Sequence, residues 1–253
     1  MSEKQKFEKY INLNFEDFKR LALDSSLSRH EKVGFPDSYR EGKESAIFAD
    51  IRTKILNLNK SDMVVMEIGP GCSQLPLMLA ELSAEKSNKL IFIDSQEMLD
   101  HIPSHPCVIK YSGAFPEAIG QEIENLRGQV DAIVVYSVIQ YVFVEGNLFH
   151  FIDSCLELLS EGGELLIGDI PNNSMRKRFF SSTSGVDTHK KFTGSDEAPE
   201  VLFNNLEPMQ IDDSVVLAIL ARSRAQGFHA WVLPQSTDLP MANRREDIII
   251  RKP

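Results

Sequence analysis

Short apolar runs alternate with amphipathic stretches through the middle of the sequence, and no other feature constrains the fold as strongly. The runs have the length of strands and lie at Met63–Ile68, Lys89–Asp94, Val108–Tyr111, Val130–Tyr136 and Gly163–Asp169. Strands that are apolar along their whole length are buried on both faces, as in a parallel sheet covered by helices. The amphipathic stretches predict helices at Leu75–Ser83, Gln96–Ile102, Pro116–Leu126 and Asn147–Leu159. The sequence therefore predicts an α/β fold with a doubly wound sheet that binds ligands at the carboxyl ends of its strands.

A helix and two strands are predicted after this alternation. The helix covers Asp212–Gln226, and the strands cover His229–Leu233 and Asp247–Arg251. Residues 234–246, between the two strands, contain no helical pattern. We therefore expect the two strands to pair antiparallel at the end of the sheet.

Two segments fall outside the alternation, and both are predicted to cover the strand ends. Residues 1–60 form a helical N-terminal cap, with amphipathic helices at Phe15–Leu23 and Lys43–Leu56 on either side of a turn at residues 34–37. Residues 171–211 interrupt the remaining domain, 61–253, after its fifth strand. Insertions of this length in compact domains are usually functional or disordered.

Charge and cysteine content argue against several classes of protein. With 27 Lys and Arg against 37 Asp and Glu, the formal net charge is −10, which disfavours nucleic acid as a partner. Cys72, Cys107 and Cys155 show no paired spacing, so neither a disulfide framework nor a structural zinc site is expected. No apolar run reaches the length of a membrane span, and the first residues lack the apolar core of a leader peptide. The expected location is cytoplasmic.

A glycine turn joins the first predicted strand to the following helix, and it contains Glu67, Gly69, Pro70, Gly71 and Cys72. The two glycines permit a tight turn and a close approach to a ligand, and the amides that open the helix can donate to an anionic group. A dinucleotide-binding fingerprint would require a third glycine at position 74, where the chain has Gln74. A nicotinamide cofactor is therefore the second choice.

Acidic residues mark the ends of the first two predicted strands: Glu67 is the second-last residue of the first, and Asp94 is the last residue of the second. Asp94 could accept both hydroxyls of a ribose, and Glu67 suits an amino group or the ordering of the glycine turn. The alternative interpretation is an ordinary turn with a helix-capping Asp94.

Four motifs in this order resemble those of class I S-adenosylmethionine (SAM)-dependent methyltransferases: Glu67-x-Gly69-x-Gly71, Asp94, Val130–Ser137 and Leu158–Leu165. The resemblance covers residues 60–170 and the helix-strand-strand tail. It implies a Rossmann-like, mostly parallel seven-stranded sheet with an antiparallel last strand. It also implies SAM as the cofactor, with the methionine part over the glycine turn and the ribose on Asp94, beside Ser95.

The resemblance is incomplete after the third strand, where many relatives have an Asp that binds the adenine amine. Here the sequence offers Ala114 and Phe115, which we expect to contact adenine instead. Ser137 follows the fourth strand and is expected to line the cofactor site, whereas Val138 and Tyr141 suit either the site or the core. In the cap, Tyr39 or Arg40 could close over the cofactor carboxylate or the acceptor; a surface connector is the alternative.

Basic and aromatic residues follow Asp169, at the tip of the fifth predicted strand. The basic residues there and near the C-terminus are Arg176, Lys177, Arg178, His189, Lys190, Lys191, Arg244 and Arg245. Each could be solvated surface, but together they favour an acceptor with a phosphate or carboxylate group. These segments also resemble bacterial methyltransferases of surface-polysaccharide and sugar-nucleotide pathways, which would make the acceptor a small sugar-linked hydroxyl. The oligomeric state is left open, a homodimer included.

Methyl transfer is an in-line displacement that depends on alignment of the reacting atoms and exclusion of water. A hydroxyl acceptor benefits from a base, and we predict Asp169 and His189 in this role, with His30 as a third candidate. No metal is expected, because Ser137 rather than a carboxylate follows the fourth strand. Two other functions stay open: an NAD(P)-dependent oxidoreductase, and a regulatory protein that binds SAM without catalysis.

Overall fold

The computed structural model describes residues 13–117, 120–205 and 207–253, and seven strands form its sheet. The strands are β1 (Val64–Ile68), β2 (Lys89–Asp94), β3 (Val108–Ser112), β4 (Val130–Tyr136), β5 (Leu159–Pro171), β6 (His229–Pro234) and β7 (Arg245–Arg251). All seven lie where the sequence predicts strands, although β5 begins four residues earlier than its predicted start.

The strand order is β3-β2-β1-β4-β5-β7-β6. Strands β1 to β5 pair in parallel, with Val65 opposite both Leu90 and Ala132 in the centre of the sheet. Strand β7 pairs antiparallel with β5 and with β6. The predicted sheet, mostly parallel with an antiparallel last strand, is confirmed. The order reverses between β1 and β4, which is where ligands bind in open α/β sheets.

Twelve helices flank this sheet in the described residues. They are α1 (Phe15–Leu23), α2 (Arg29–Lys32), α3 (Asp37–Arg40), α4 (Glu44–Lys54), α5 (Leu75–Glu85), α6 (Gln96–Leu99), α7 (Gly120–Glu124), α8 (Ile139–Glu145), α9 (Leu148–Leu158), α10 (Asn173–Phe180), α11 (Thr183–Thr193) and α12 (Asp213–Ala225). Short 3-10 turns cover Leu56–Asn59 and Ala242–Arg244. The second turn lies in the segment 234–246, which was expected to contain no helix. Residues 118 and 119 of the helix predicted at 116–126 lie outside the described residues.

The apolar strands bury both of their faces, as their composition predicts. One layer of the core packs Met66, Ile133 and Ile167 with helices α8, α9 and α12. The other packs residues of alternate parity, such as Val65 and Leu166, with α4 and α5. The period-two alternation of strand side chains thus places a helical layer on each side of the sheet.

The N-terminal helices are fixed by local capping and by contacts with the strand ends. Asn14 and Asp17 form a capping box at the start of α1, and Ser28 and Glu31 form one at the start of α2. Ala22 of α1 packs in a small apolar cluster with Cys72 and Met98, next to the glycine turn. Helix α1 therefore lies over the carboxyl ends of β1 and β2. Residues 1–12 of the predicted cap lie outside the described residues.

Among the described residues, no helix combines the length and the apolar composition that a membrane span requires.

Candidate functional site

A cavity of about 380 Å³ lies at the carboxyl ends of the first four strands. Its floor includes the glycine turn after β1, Asp94 at the end of β2 and Ser137 after β4, and its roof includes Phe18 and Phe35 of the N-terminal helices and the loop between them. The volume falls within the range of about 300–1,000 Å³ typical of small-molecule sites. The cavity is therefore the candidate ligand site, and it lies where the strand order reverses.

Glycine is required at two positions of the turn. Gly69 has φ +71°, and a Cβ there would lie 2.5 Å from Cγ2 of Val138. Gly71 has φ +62°, and a Cβ there would lie 2.6 Å from Cγ1 of Val33. The left-handed backbone costs other residues about 1–2 kcal/mol, and the close neighbours add a steric penalty. The turn can therefore present its bare backbone to a ligand in the cavity.

Asp94 is held by the same turn. The Gly71 amide donates to Oδ2 at 2.9 Å, and the Ser95 amide donates to Oδ1 at 2.7 Å. Burial raises the pKa of Asp94 to about 6, although both of these hydrogen bonds lower it. The side chain lines the cavity, and each carboxylate oxygen keeps a lone pair for a further donor. Asp94 is therefore oriented to accept two hydrogen bonds from a ligand.

Glu67 lies beside Asp94 with an unused acceptor. It is 5% exposed, lines the cavity, and its Oε2 has no hydrogen-bond partner among the described residues. Burial, together with the charge of Asp94, raises the pKa of Glu67 to about 8. The side chain is therefore mostly a neutral acid at pH 7. A positively charged ligand group would favour its ionised form.

A buried ion cluster lies behind the opposite wall of the cavity. Nη2 of Arg40 donates to Oγ of Ser137 at 2.6 Å and to Oδ2 of Asp169 at 2.9 Å, and Nη1 of Arg245 lies 2.7 Å from the same carboxylate oxygen. Ser137 also donates to Asp169. Burial alone would raise the pKa of Asp169, but Arg245 and Arg40 outweigh it and hold the pKa below its ordinary value. This environment fixes a negative charge and makes Asp169 a weak proton acceptor.

Aromatic contacts connect the roof to the walls. The Arg40 guanidinium lies 4.2 Å from the centre of the Phe35 ring. Phe18 of α1 packs edge-to-face on Tyr141 of α8 at 4.9 Å. The second contact joins α1 to α8, so the N-terminal helices pack against a wall of the cavity.

The structure sorts the predicted cofactor residues into two groups. Those that line the cavity are Glu67, Gly69, Pro70, Gly71, Asp94, Ala114, Phe115, Ser137 and Arg40. Those whose side chains do not line it are Cys72, Ser95 and Tyr39.

Two of the three side chains outside the cavity have a clear structural role. Cys72 packs between Ala22 and Met98. The hydroxyl of Ser95 accepts a hydrogen bond from the Met98 amide at 3.2 Å and caps α6. The sequence could not distinguish these positions from their neighbours, because consecutive residues in a turn point in different directions.

The two predicted bases are not brought together. Asp169 lies in the ion cluster, whereas His189 on α11 lines a second cavity of about 490 Å³ together with Phe180. The third candidate, His30, lies between Asp37, 2.9 Å from Nδ1, and Glu44, which contacts Nε2. None of the three lines the cavity at the strand ends.

Several residues of the cavity escaped the sequence analysis. Phe15, Phe18 and Val33 form part of the roof, and Glu117 and Glu145 also line the cavity. The amphipathic pattern of α1 indicated a buried face but not the surface it covers. In the described ranges, no three His, Cys, Asp or Glu side chains are arranged to hold a metal ion.

Of the comparisons with known proteins, only that with solved structures bears on the fold. No protein family matches the sequence, and no curated protein is significantly similar to it. Solved structures do match. The plantazolicin methyltransferase BpumL, in complex with a monoazolic desmethylPZN analog and SAH, has a TM-score of 0.55 at 14% identity, over 98% of both chains.

Two further structures reach the same TM-score. A complex of the Haloferax volcanii Trm112 methyltransferase activator with a candidate methyltransferase matches at 0.55 and 12% identity, over 93% of this chain and 97% of the other. Phosphoethanolamine N-methyltransferase 1 of Haemonchus contortus, bound to phosphoethanolamine and S-adenosylhomocysteine, matches at 0.55 and 11% identity, over 99% of this chain and 50% of the other. With the strand order above, these matches show that the chain has the Rossmann-like class I methyltransferase fold.

Proposed function

We propose that the chain is a SAM-dependent methyltransferase that acts on a small-molecule acceptor. The observation that carries the proposal is the pairing of Glu67 and Asp94 around the glycine turn, in a cavity at the reversal of strand order. These two acids have no cation among the described residues to balance them, although the ion cluster on the opposite wall is balanced by arginines. A ligand that brings its own positive charge and a pair of hydroxyls fits this arrangement.

The residues present fit SAM in four respects. Oε2 of Glu67, which has no partner, suits the ammonium group of the methionine part. The free lone pairs of Asp94 suit the two ribose hydroxyls. Gly69 and Gly71 leave room for the part of SAM that joins the ammonium group to the ribose. Phe115, packed edge-to-face on Phe151 at 5.2 Å, offers an apolar contact for adenine.

When bound, SAM would supply an electrophilic methyl group on a sulfonium sulfur. The chain's own contribution is to align the acceptor and to exclude water, which the aromatic roof serves. Arg40 and Ser137 form the wall opposite the turn acids, and Asp169 holds both of them in place. We therefore assign Asp169 an orienting role. The base stays a prediction, with His189 as its candidate.

For the acceptor we propose a chemical class and no individual molecule. An anionic group on the acceptor remains part of the proposal, because Arg176, Lys177 and Arg178 lie on α10, which follows the carboxyl end of β5. The sugar-pathway resemblance has no counterpart among the solved structures above, so the proposal names no sugar.

Isothermal titration with SAH, SAM and NADH tests the proposal. We expect SAH and SAM to bind with micromolar affinity and NADH not to bind. Incubation with methyl-labelled SAM and a fractionated pool of small anionic metabolites should then give a labelled product. Binding of NADH without SAH would favour the oxidoreductase. Binding of SAH without any labelled product would favour a regulatory protein.

A further inference from the structure

The structure divides the predicted basic residues into those with a carboxylate partner and those without. Nζ of Lys177 lies 3.1 Å from Glu207, and Nη1 of Arg178 lies 2.6 Å from Asp213. Arg245 belongs to the ion cluster with Asp169.

Two arginines remain without such a partner. In the part of the chain that the structure describes, neither Arg176 nor Arg244 forms an ion pair. Glu207 is near enough for Arg176 to lower its pKa, but Glu207 is already paired with Lys177.

These two arginines converge on one aromatic ring. Cζ of Arg176 lies 5.4 Å and Cζ of Arg244 lies 5.7 Å from the centre of the Phe180 ring. The His189 ring packs edge-on against the same ring at 6.1 Å. Phe180 therefore gathers two guanidinium groups and an imidazole in a chain whose net charge is −10.

The cations in this group repel one another. Arg244 is half-buried, and its pKa is lowered by burial and then by the charges of Arg245 and Arg176, against an opposite contribution from Tyr39. Holding like charges together costs free energy unless an anion offsets it. A guanidinium has five donors, and Arg244 uses one of them on Oδ1 of Asn243 at 3.1 Å.

The group lies next to the carboxyl end of β5, at the end of the sheet that holds the proposed site. Phe180 ends α10, which directly follows the carboxyl end of β5, and the Arg244 carbonyl accepts a hydrogen bond from the Asn172 amide at 3.1 Å. The next residue, Arg245, turns inward, with its guanidinium 5.9 Å from the Phe35 ring in the cavity roof. Phe180, Arg176 and His189 also line the second cavity, which provides room for part of a ligand. Glu197, Glu200 and Glu207 line it as well, whereas Arg244 lies outside the lining.

We infer that Arg176 and Arg244, stacked on Phe180, form a subsite that binds an anionic group, phosphate or carboxylate, of the methyl acceptor. The inference rests on the proposed function for the word acceptor, but the anion subsite itself does not depend on methyl transfer. It selects two residues from the eight basic positions noted in the sequence.

Isothermal titration with pyrophosphate, and in a separate arm with citrate, tests the subsite at low ionic strength. We expect the wild-type chain to bind at least one of these anions, and Arg176→Gln and Arg244→Gln each to weaken binding about tenfold, the loss of one charge-assisted hydrogen bond. The arm with the tighter binding tells phosphate from carboxylate recognition. Arg178→Gln is the matched control, because it removes the same charge from the same helix but from a residue paired with Asp213. Its affinity should stay within twofold of wild type.

Equal weakening in all three variants would show diffuse charge attraction and overturn the subsite, as would the absence of binding to both anions. SAH titration of each variant separates this result from the proposed function. Unchanged SAH affinity in Arg176→Gln and Arg244→Gln is expected and shows that both variants are folded. Failure of SAH to bind the wild-type chain would overturn the methyltransferase proposal and leave the subsite result standing.

Discussion

Buried carboxylates lie at the carboxyl ends of β1, β2 and β5, and their surroundings are of two opposite kinds. The turn acids, Glu67 and Asp94, have no cationic partner among the described residues, and burial raises their pKa values to about 8 and about 6. The anchor acid, Asp169, lies between Arg40 and Arg245, which hold its pKa below the ordinary value.

The difference separates binding from support. Burying a carboxylate costs free energy unless a positive charge or hydrogen bonds offset the cost. Asp169 obtains that compensation within the fold, so its charge is already satisfied before any ligand arrives. The turn acids do not, so their ionised forms become favourable only when a ligand supplies the positive charge. Buried acids with raised pKa values and no internal cation, such as the turn acids, mark functional sites.

The largest expected effect is that of replacing Asp169. In Asp169→Asn, Arg40 and Arg245 would remain buried without their shared carboxylate, and we expect unfolding free energy to fall by about 3–5 kcal/mol. Urea unfolding at pH 7 measures the loss. The control is Asp153→Asn, which removes the partner of Arg222 at an exposed ion pair and should cost at most about 1 kcal/mol. Equal losses in the two variants would show that burial of the ion cluster contributes nothing.

A second test addresses Asp94. Asp94→Ala removes both acceptors that face the cavity, and we expect affinity for SAH to fall at least about 100-fold, with two charge-assisted hydrogen bonds lost. Glu97→Gln removes one negative charge next to Asp94 without changing the cavity lining, so it should bind SAH within threefold of wild type. Titration calorimetry of both variants gives the comparison. Retained binding in Asp94→Ala would remove the role of this residue.

The turn acids could be found from the sequence because they occupy places that local pattern defines. Glu67 and Asp94 each stand at the end of an apolar run, and glycine at 69 and 71 marks the turn between them. The parallel pairing of the first five strands follows from the same alternation, since parallel strands need crossover connections. These features depend on residues that are near one another in the chain.

The anchor acid shows what local pattern cannot supply. Asp169 also ends a predicted strand, and the sequence offers the same reasons to treat it as a functional acid. Its partners, Arg40 and Arg245, lie 129 and 76 residues away in the chain, and no spacing rule connects them. For the same reason, the sequence does not show that His189 lies outside the strand-end cavity, because tertiary packing sets the path of the insertion.

The pH dependence of Glu67 provides a third test, with a smaller effect. Its folded pKa of about 8 lies above the ordinary 4.5, so the stability it contributes is fully present below about pH 4.5 and is lost as pH rises through 8. The replaced side chain of the Glu67→Gln variant does not ionise. We therefore expect the unfolding free energy of this variant at pH 9 to be about 2 kcal/mol higher than that of the wild type. Urea unfolding at pH 5 and pH 9 measures the difference.

Binding of the cofactor should shift Glu67 from its neutral to its ionised form. If the cofactor ammonium pairs with Glu67, binding at pH 7 releases close to one proton, which calorimetry in buffers of different ionisation enthalpy detects. Glu67→Gln should release none and bind SAH more weakly. Proton release that is the same in both proteins would place the ammonium elsewhere in the cavity.

The smallest expected effect concerns His30, which joins the N-terminal helices through Asp37 and Glu44. Burial alone would lower its pKa, but these two carboxylates outweigh it and raise the pKa above 6.5. The resulting stability is fully present below about pH 6.5 and is lost as pH rises through the raised pKa. His30→Gln should therefore have an unfolding free energy about 1 kcal/mol lower than that of wild type at pH 6, a value limited by solvent screening. The difference should disappear as pH rises through the raised pKa of His30. A gap that persists at high pH would mean that packing, and not the charge of His30, holds these helices together.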